Sequence, residues 1–268
     1  MSYRLTLPVN SKEFIALNEL ESFNISIAAT EELGTIYAST REEIVEIFKV
    51  INGDKELLTK IEKISDESWM DSWQEHLQPI SFQSIKIYPF HHKPNKTTPN
   101  SLILEPGRTF GIGHHPTSAL MIELLEQHSS EMKERNILDF GCGSGILSLV
   151  ALKLGAKYAY GVDCDEEAVR ISQKNAVQNG FDNSQYSFST EIPKEFKFDI
   201  LIINTLQNTI EENLDQLLLL LAPKNIILVS GIIDEVFLKE RFKLPILELH
   251  KKEEWIAVKT TYVQTNNG

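Results

Sequence analysis

From Asn136 onward, short apolar runs alternate with stretches whose apolar residues recur at helical spacing. The runs predict strands at Asn136–Phe140, Tyr158–Val162, Tyr186–Phe188, Asp199–Ile203 and Ile226–Val229. Between them the pattern predicts helices at Ile146–Lys153, Glu166–Gln178, Ile210–Leu221 and Glu235–Arg241. Strands alternating with helices at this spacing build a doubly wound parallel sheet. Two more extended runs, Leu247–His250 and Trp255–Val263, are joined by the charged Lys251–Glu254 and read as a terminal hairpin on that sheet.

The first 64 residues carry a different and smaller pattern. Tyr3–Leu7 reads as a strand, and Ser11 as the cap of a helix bearing Phe14, Ala16, Leu17 and Leu20. Strands follow at Ile25–Ala29 and Thr35–Ala38, with a turn at Glu32–Gly34. Thr40 with Glu43 three residues on is a capping-box signature, and Ile44, Val45, Ile47 and Phe48 mark the buried face behind it. The order β-α-β-β-α belongs to a ferredoxin-like split βαβ unit. That gives three expected segments: a small α/β domain over 1–64, a linker helix over 65–78 with Trp69 and Trp73 on one face, and the large α/β domain over 79–268. Residues His91–Pro99 read as a loop.

Chemistry concentrates where the large domain begins. The first strand runs into Asp139-Phe-Gly141-Cys-Gly143-Ser-Gly145, and the second ends at Asp163. Glycines after a strand let the backbone approach a ligand, and an acid closing the next strand can accept both hydroxyls of a ribose. Asp163 has a plainer use as a cap for the helix beginning near Asp165. A dinucleotide site spaces its glycines G-x-G-x-x-G and sets a pyrophosphate on the helix end. Here the third glycine comes one residue early, which suits S-adenosylmethionine, a cofactor without phosphate. Gly141 and Gly143 are the expected floor, Gly145 a packing glycine, and Asp139 a residue that orients the loop or holds the cofactor's amino group. Asn204, closing the fourth strand, faces the same crevice, where its amide oxygen can accept from an amine; its plainer use is to cap the next helix.

Upstream lies Glu105-Pro-Gly-Arg-Thr-Phe110-Gly-Ile112-Gly-His114-His115-Pro-Thr117-Ser118. A metal held by the two histidines and Glu105 is one use of this stretch. Adjacent histidines seldom converge on an ion without further ligands, so no metal is expected. The other use is a glycine-shaped loop over the cofactor, with the Thr117 and Ser118 hydroxyls at a helix start.

Composition narrows the partners. The chain has 268 residues, 42% hydrophobic, enough for two domains with proper cores. A net charge of −12 offers no basic surface for phosphates, so direct nucleic-acid binding is not expected. The two cysteines, Cys142 and Cys164, sit inside the cofactor motifs; with no visible signal peptide or spanning segment, a reduced cytoplasmic protein is expected, with no membrane partner.

Taken together, these motifs resemble the bacterial family that methylates large-subunit ribosomal protein eleven, known as PrmA. The resemblance rests on Glu105-Pro-Gly-x-x-Phe110-Gly-x-Gly-x-His115-Pro-Thr117, on Asp139 to Leu147, on Asp163, on Asn204-Thr-Leu206, on Ser230-Gly231-Ile232 and on Lys252-Glu-Glu-Trp255. It runs from about Trp69 to Trp255. It implies a Rossmann-like S-adenosylmethionine methyltransferase acting on lysine or N-terminal amines of a ribosomal large-subunit protein. The implied cofactor residues are Ser118, Gly141, Asp163 and Asn204, joined by Thr117 and Gly143; Asn204 and His115 are the candidate catalytic residues. The family's Thr is replaced by Ile112, and its Thr-Thr by Thr117-Ser118, which keeps the hydroxyl. A small-molecule methyltransferase on the same fold is the alternative; a non-catalytic binding module and a nicotinamide dehydrogenase are more distant ones.

Overall fold

The computed structural model describes residues 2–17, 26–29, 33–38, 40–51, 53–64, 77–96, 98–105 and 113–263. The chain divides into two compact units, Met1–Leu77 and Gln78–Gly268.

The first unit runs β1 (Ser2–Pro8), a helix at Lys12–Leu17, β2 (Ser26–Ala29), β3 (Leu33–Ala38), a helix at Arg41–Val50 and β4 (Glu62–Ile64). Its sheet has the order β2-β3-β1-β4, every pair antiparallel, which is a split βαβ arrangement. Alternate strand residues Leu5, Leu7, Ile36 and Ala38 meet Phe14, Ile44, Ile47 and Phe48 from the helices in one core. Thr40 and Glu43 form the reciprocal capping box. Val45 is only half-buried, because the buried stripe follows the i, i+3, i+4 spacing of Ile44, Ile47 and Phe48. Leu33 and Gly34, expected in a turn, already pair within β3. Leu20, and the linker helix with Trp69 and Trp73, lie outside the described residues.

In the second unit a small sheet comes first: β5 (Ile80–Ser81), β6 (Lys86–Pro89) and β7 (Ser101–Leu104), in that order. Its strands are too short and broken to declare themselves by periodicity. The helix Pro116–Gln127 leads to β8 (Asn136–Phe140), the helix Ile146–Lys153, β9 (Tyr158–Val162), the helix Glu166–Gln178 and β10 (Tyr186–Ser189). Then come β11 (Phe198–Asn204), the helix Gln207–Leu218, β12 (Leu221–Ile232), β13 (Ile246–Lys252) and β14 (Trp255–Thr260).

These strands form one seven-stranded sheet, β10-β9-β8-β11-β12-β14-β13. Strands β8 to β12 are parallel, and β14 is antiparallel to both of its neighbours. The order reverses between β8 and β11, so a crevice opens beyond their carboxyl ends. Ile200 to Ile203 of β11 are wholly buried, as in a strand covered on both faces. Two boundaries correct the sequence reading. The helix expected at Ile210–Leu221 starts and stops three residues earlier, and β12 begins at Leu221. One continuous leucine run crosses that junction, and periodicity alone cannot divide it. The helix expected at Glu235–Arg241 is α-helical only over Glu235–Phe237 and continues as a π turn over Leu238–Phe242.

Candidate active site

The crevice at the strand-order reversal holds a cavity of about 650 Å³. Its walls bring together His115, Thr117, Ser118, Gly141, Gly143, Asp163 and Asn204, but not Asp139.

The floor is backbone. Gly141 (φ +76°) and Gly143 (φ +54°) adopt left-handed conformations that a side chain would strain, and Gly141 N–H donates to Val162 O at 2.8 Å. This ties the loop to the end of β9. Asp163 then locks it: Gly143 N–H donates to Oδ2 at 2.9 Å, and Asp165 N–H to Oδ1 at 3.1 Å. The helix cap proper is Asp165, which accepts from Glu167 N–H, so Asp163 is not spent on capping. Each carboxylate oxygen keeps a second lone pair for a ligand hydroxyl. Gly145 serves packing, since a Cβ there would stand 2.8 Å from the Ser172 Cβ.

Asp139 does not reach the cavity wall. It is buried, and its Oδ2 accepts both Ser148 N–H (3.0 Å) and Ser148 Oγ–H (2.7 Å) at the start of the helix Ile146–Lys153, while Oδ1 has no partner. Burial raises its pKa to about 6 against the lowering by Ser148. A carboxylate thus occupies the helix end where a dinucleotide would place its pyrophosphate, and its charge opposes a phosphate there.

The opposite rim is assembled from distant segments. His115 caps the helix Pro116–Gln127: its Nδ1 accepts from Thr117 N–H at 3.4 Å and lies 2.8 Å from Thr117 Oγ1. With Nδ1 accepting, the neutral ring carries its proton on Nε2. Burial lowers the His115 pKa, opposed by Glu254 and Glu253. Its ring meets Trp255 edge-on at 5.0 Å, and Trp255 also lines the cavity. Asn204 Nδ2 donates to Ser118 Oγ at 3.4 Å, which leaves the amide oxygen as its acceptor. Asn204 does not cap the next helix, whose N-cap is Leu206 without a side-chain bond.

His114 lines a separate cavity with Glu123 and Glu126, and Glu105 pairs with Lys174. The two histidines therefore do not converge, and among the described residues no group of three potential ligands could hold a metal. Both cysteines are free thiols, Cys142 buried and Cys164 exposed on the cavity wall.

Gly231, on β12, is the functional residue that sequence reasoning left without a role. At φ +91° it lies so close to the neighbouring strand end that a Cβ would stand 1.8 Å from Thr205 O. Thr205 also lies 3.3 Å, by its Cβ, from a Cβ built on Gly141. Gly141, just past β8, and Gly231, on β12, thus clamp Thr205, the residue that follows Asn204. Thr190 and Ile192, just beyond β10, complete the wall; the rule that ligands sit past parallel-strand ends would have found them.

Comparison with known proteins agrees with this geometry. The family model described as ribosomal protein L11 methyltransferase (PrmA) matches residues 13–262. The chain belongs to the ribosomal protein L11 methyltransferase family. A relative of that name from Pasteurella multocida is 38% identical over 65% of this chain and 59% of its own length. Another, from Histophilus somni, is 34% identical over 81% of this chain and 75% of its own. The chain thus spans about three fifths of some of the relatives it matches. Among solved structures, the ribosomal protein L11 methylase of Lactobacillus delbrueckii subsp. bulgaricus superposes with a TM-score of 0.61 at 24% identity, over 70% of this chain and all of that one, and shares the fold.

Proposed function

We propose that the chain transfers methyl groups from S-adenosylmethionine to lysine or N-terminal amines of ribosomal protein L11. The observation that carries this reading is the cavity itself. It gathers the family's motif residues Gly141, Gly143, Asp163 and Asn204 at one crevice. The site fits the cofactor: about 650 Å³ suits a ligand of that size, apolar walls from Phe140, Val162 and Ile171 suit a flat base, and Asp139 disfavours phosphate. Asp163 would take the ribose hydroxyls, Gly141 and Gly143 would pass beneath the methionine portion, and Thr117 and Ser118 would add hydroxyls. When bound, the cofactor supplies an electrophilic methyl on a sulfonium.

The protein's task is then to present a neutral amine in line. A lysine of pKa 10.4 is neutral about once in 2,500 molecules at pH 7, a handicap of about 4.6 kcal/mol. Desolvation in a half-enclosed cavity reduces it. The Asn204 amide oxygen accepts one N–H of the amine and so orients its lone pair. His115 holds the helix start and walls the cavity; taking a proton at Nδ1 would break its cap, so the released proton passes to solvent.

We further assign residues 1–64 to substrate recognition, with the linker over 65–78 and the catalytic domain over 79–268. A tethered recognition unit raises the local concentration of a flexible target. We also propose a cytoplasmic reaction without nucleic-acid or membrane contact, a reading supported by the net charge of −12 and by a ribosomal-protein substrate; among the described residues no helix is long and apolar enough to cross a membrane.

The test is incubation of the full chain with methyl-labelled cofactor and either purified L11 or a small-metabolite extract. Label is expected in L11. Label confined to metabolites would overturn the substrate, and no transfer to either would overturn the activity.

A further inference from the structure

Asn175, on the helix Glu166–Gln178, is wholly buried and makes three hydrogen bonds through one amide. Its Oδ1 accepts Glu105 N–H at 2.8 Å, and its Nδ2 donates to Glu105 O at 3.0 Å and to Ser144 O at 2.9 Å. Glu105 directly follows β7. Ser144 lies between the two left-handed glycines Gly143 and Gly145. One side chain therefore joins the segment entering the 106–112 stretch to the glycine loop that floors the cavity.

One turn later, Asn179 makes a similar pattern without the loop. Its Oδ1 accepts Ile103 N–H at 2.8 Å, and its Nδ2 donates to Ile103 O at 2.7 Å and to Asn175 O at 2.8 Å. The two asparagines bond alternate residues of one extended segment, as a neighbouring strand would. Only Asn175 reaches across to the glycine loop. Other side chains do not substitute. Aspartate accepts from Glu105 but donates to neither carbonyl, and an apolar residue leaves three backbone groups without their bonds.

We propose that Asn175 is a positioning residue for the cofactor: it fixes the Ser144 carbonyl, and so the Gly143–Gly145 turn, in register with Glu105. The inference rests on the reading that the cavity takes S-adenosylmethionine. Asn175 itself is absent from the cavity wall, so it acts through the loop.

The test compares Asn175→Ala with Asn179→Ala in the full chain. S-adenosylhomocysteine binding is measured by calorimetry well below both melting midpoints. Both variants lose melting temperature, since both remove buried bonds between helix and β7. Asn175→Ala should bind at least about tenfold more weakly than wild type, the effect of a buried carbonyl losing its donor, with Asn179→Ala within about threefold. Wild-type affinity in a folded Asn175→Ala, or equal weakening in both variants, would overturn the proposal. If Asn175→Ala does not fold, the neutral pair Asn175→Ser and Asn179→Ser, which buries no charge, carries the same comparison with the same outcomes. Failure of the wild type to bind would instead overturn the cofactor reading on which the proposal stands.

Discussion

The two rims of the cavity are built in opposite ways. The rim proposed to bind the cofactor is local: Gly141 to Asp163 is one loop-helix-strand unit, and its bonds run mostly between backbone and the Asp163 carboxylate. The rim proposed to present the amine is composite. His115 comes from the N-cap of one helix, Asn204 from the end of β11 with Thr205 just beyond it, Gly231 from β12 and Trp255 from β14. Hydrogen bonds fix the first rim, whereas the second combines the Asn204–Ser118 hydrogen bond with steric fit: Thr205 against two glycines, and His115 against Trp255. Binding and transfer should therefore respond to different substitutions.

The largest expected effect breaks the composite rim. Gly231→Ala puts a methyl group where Thr205 O now stands and adds the strain of φ +91°. Turnover should fall by about 100-fold or more, while cofactor affinity falls far less. Gly180→Ala is the control, since φ +74° imposes similar strain with nothing within 4 Å. Steady-state kinetics on both variants checks this; equal losses would assign the effect to backbone strain alone.

A smaller effect should come from the local rim. Asp163→Ala removes the acceptor of Gly143 N–H and the proposed ribose contacts, and should weaken cofactor binding by about tenfold or more. Calorimetry showing unchanged affinity would displace the ribose from Asp163.

Most of this contrast in construction is also a contrast in legibility. The glycine loop and Asp163 are readable because they fall within one βαβ unit, whose glycine spacing and terminal acid have local causes. Asn204 was readable as the end of an apolar run, and His115 through the surrounding motif. The role of Gly231 was not, because the atom that forbids a side chain there belongs to Thr205, on another strand. Asn175 was hidden for the same reason: its partners are 70 and 31 residues away. In the fold, strands β8 to β11 announced themselves, but the short β5 to β7 did not, and the leucine run before β12 concealed where helix gives way to strand.

A separate effect, on stability and not on binding or turnover, concerns the residue beneath that rim. The Asp139 pKa is raised in the folded state, so the stability it contributes is complete at low pH and is lost as pH climbs from about 4 through about 6. Asp139→Asn keeps an oxygen to accept from Ser148 and removes the charge. Its melting temperature should gain on the wild type as pH rises over that window, by an amount on the order of 1–3 kcal/mol in stability. A pH-independent difference between the two melting curves would show that Asp139 does not titrate there.

The central claim is that one rim binds the cofactor and the other presents the amine. It is tested most directly by single-turnover transfer of labelled methyl to L11 at saturating cofactor, comparing Asn204→Ala with Asp163→Ala. Asp163→Ala should regain a rate close to wild type once saturated. Asn204→Ala should stay at least about tenfold slower at any cofactor concentration, because saturation restores a lost cofactor contact but not the acceptor of the amine. Recovery of Asn204→Ala by added cofactor, or a saturated Asp163→Ala as slow as Asn204→Ala, would contradict the division of the site.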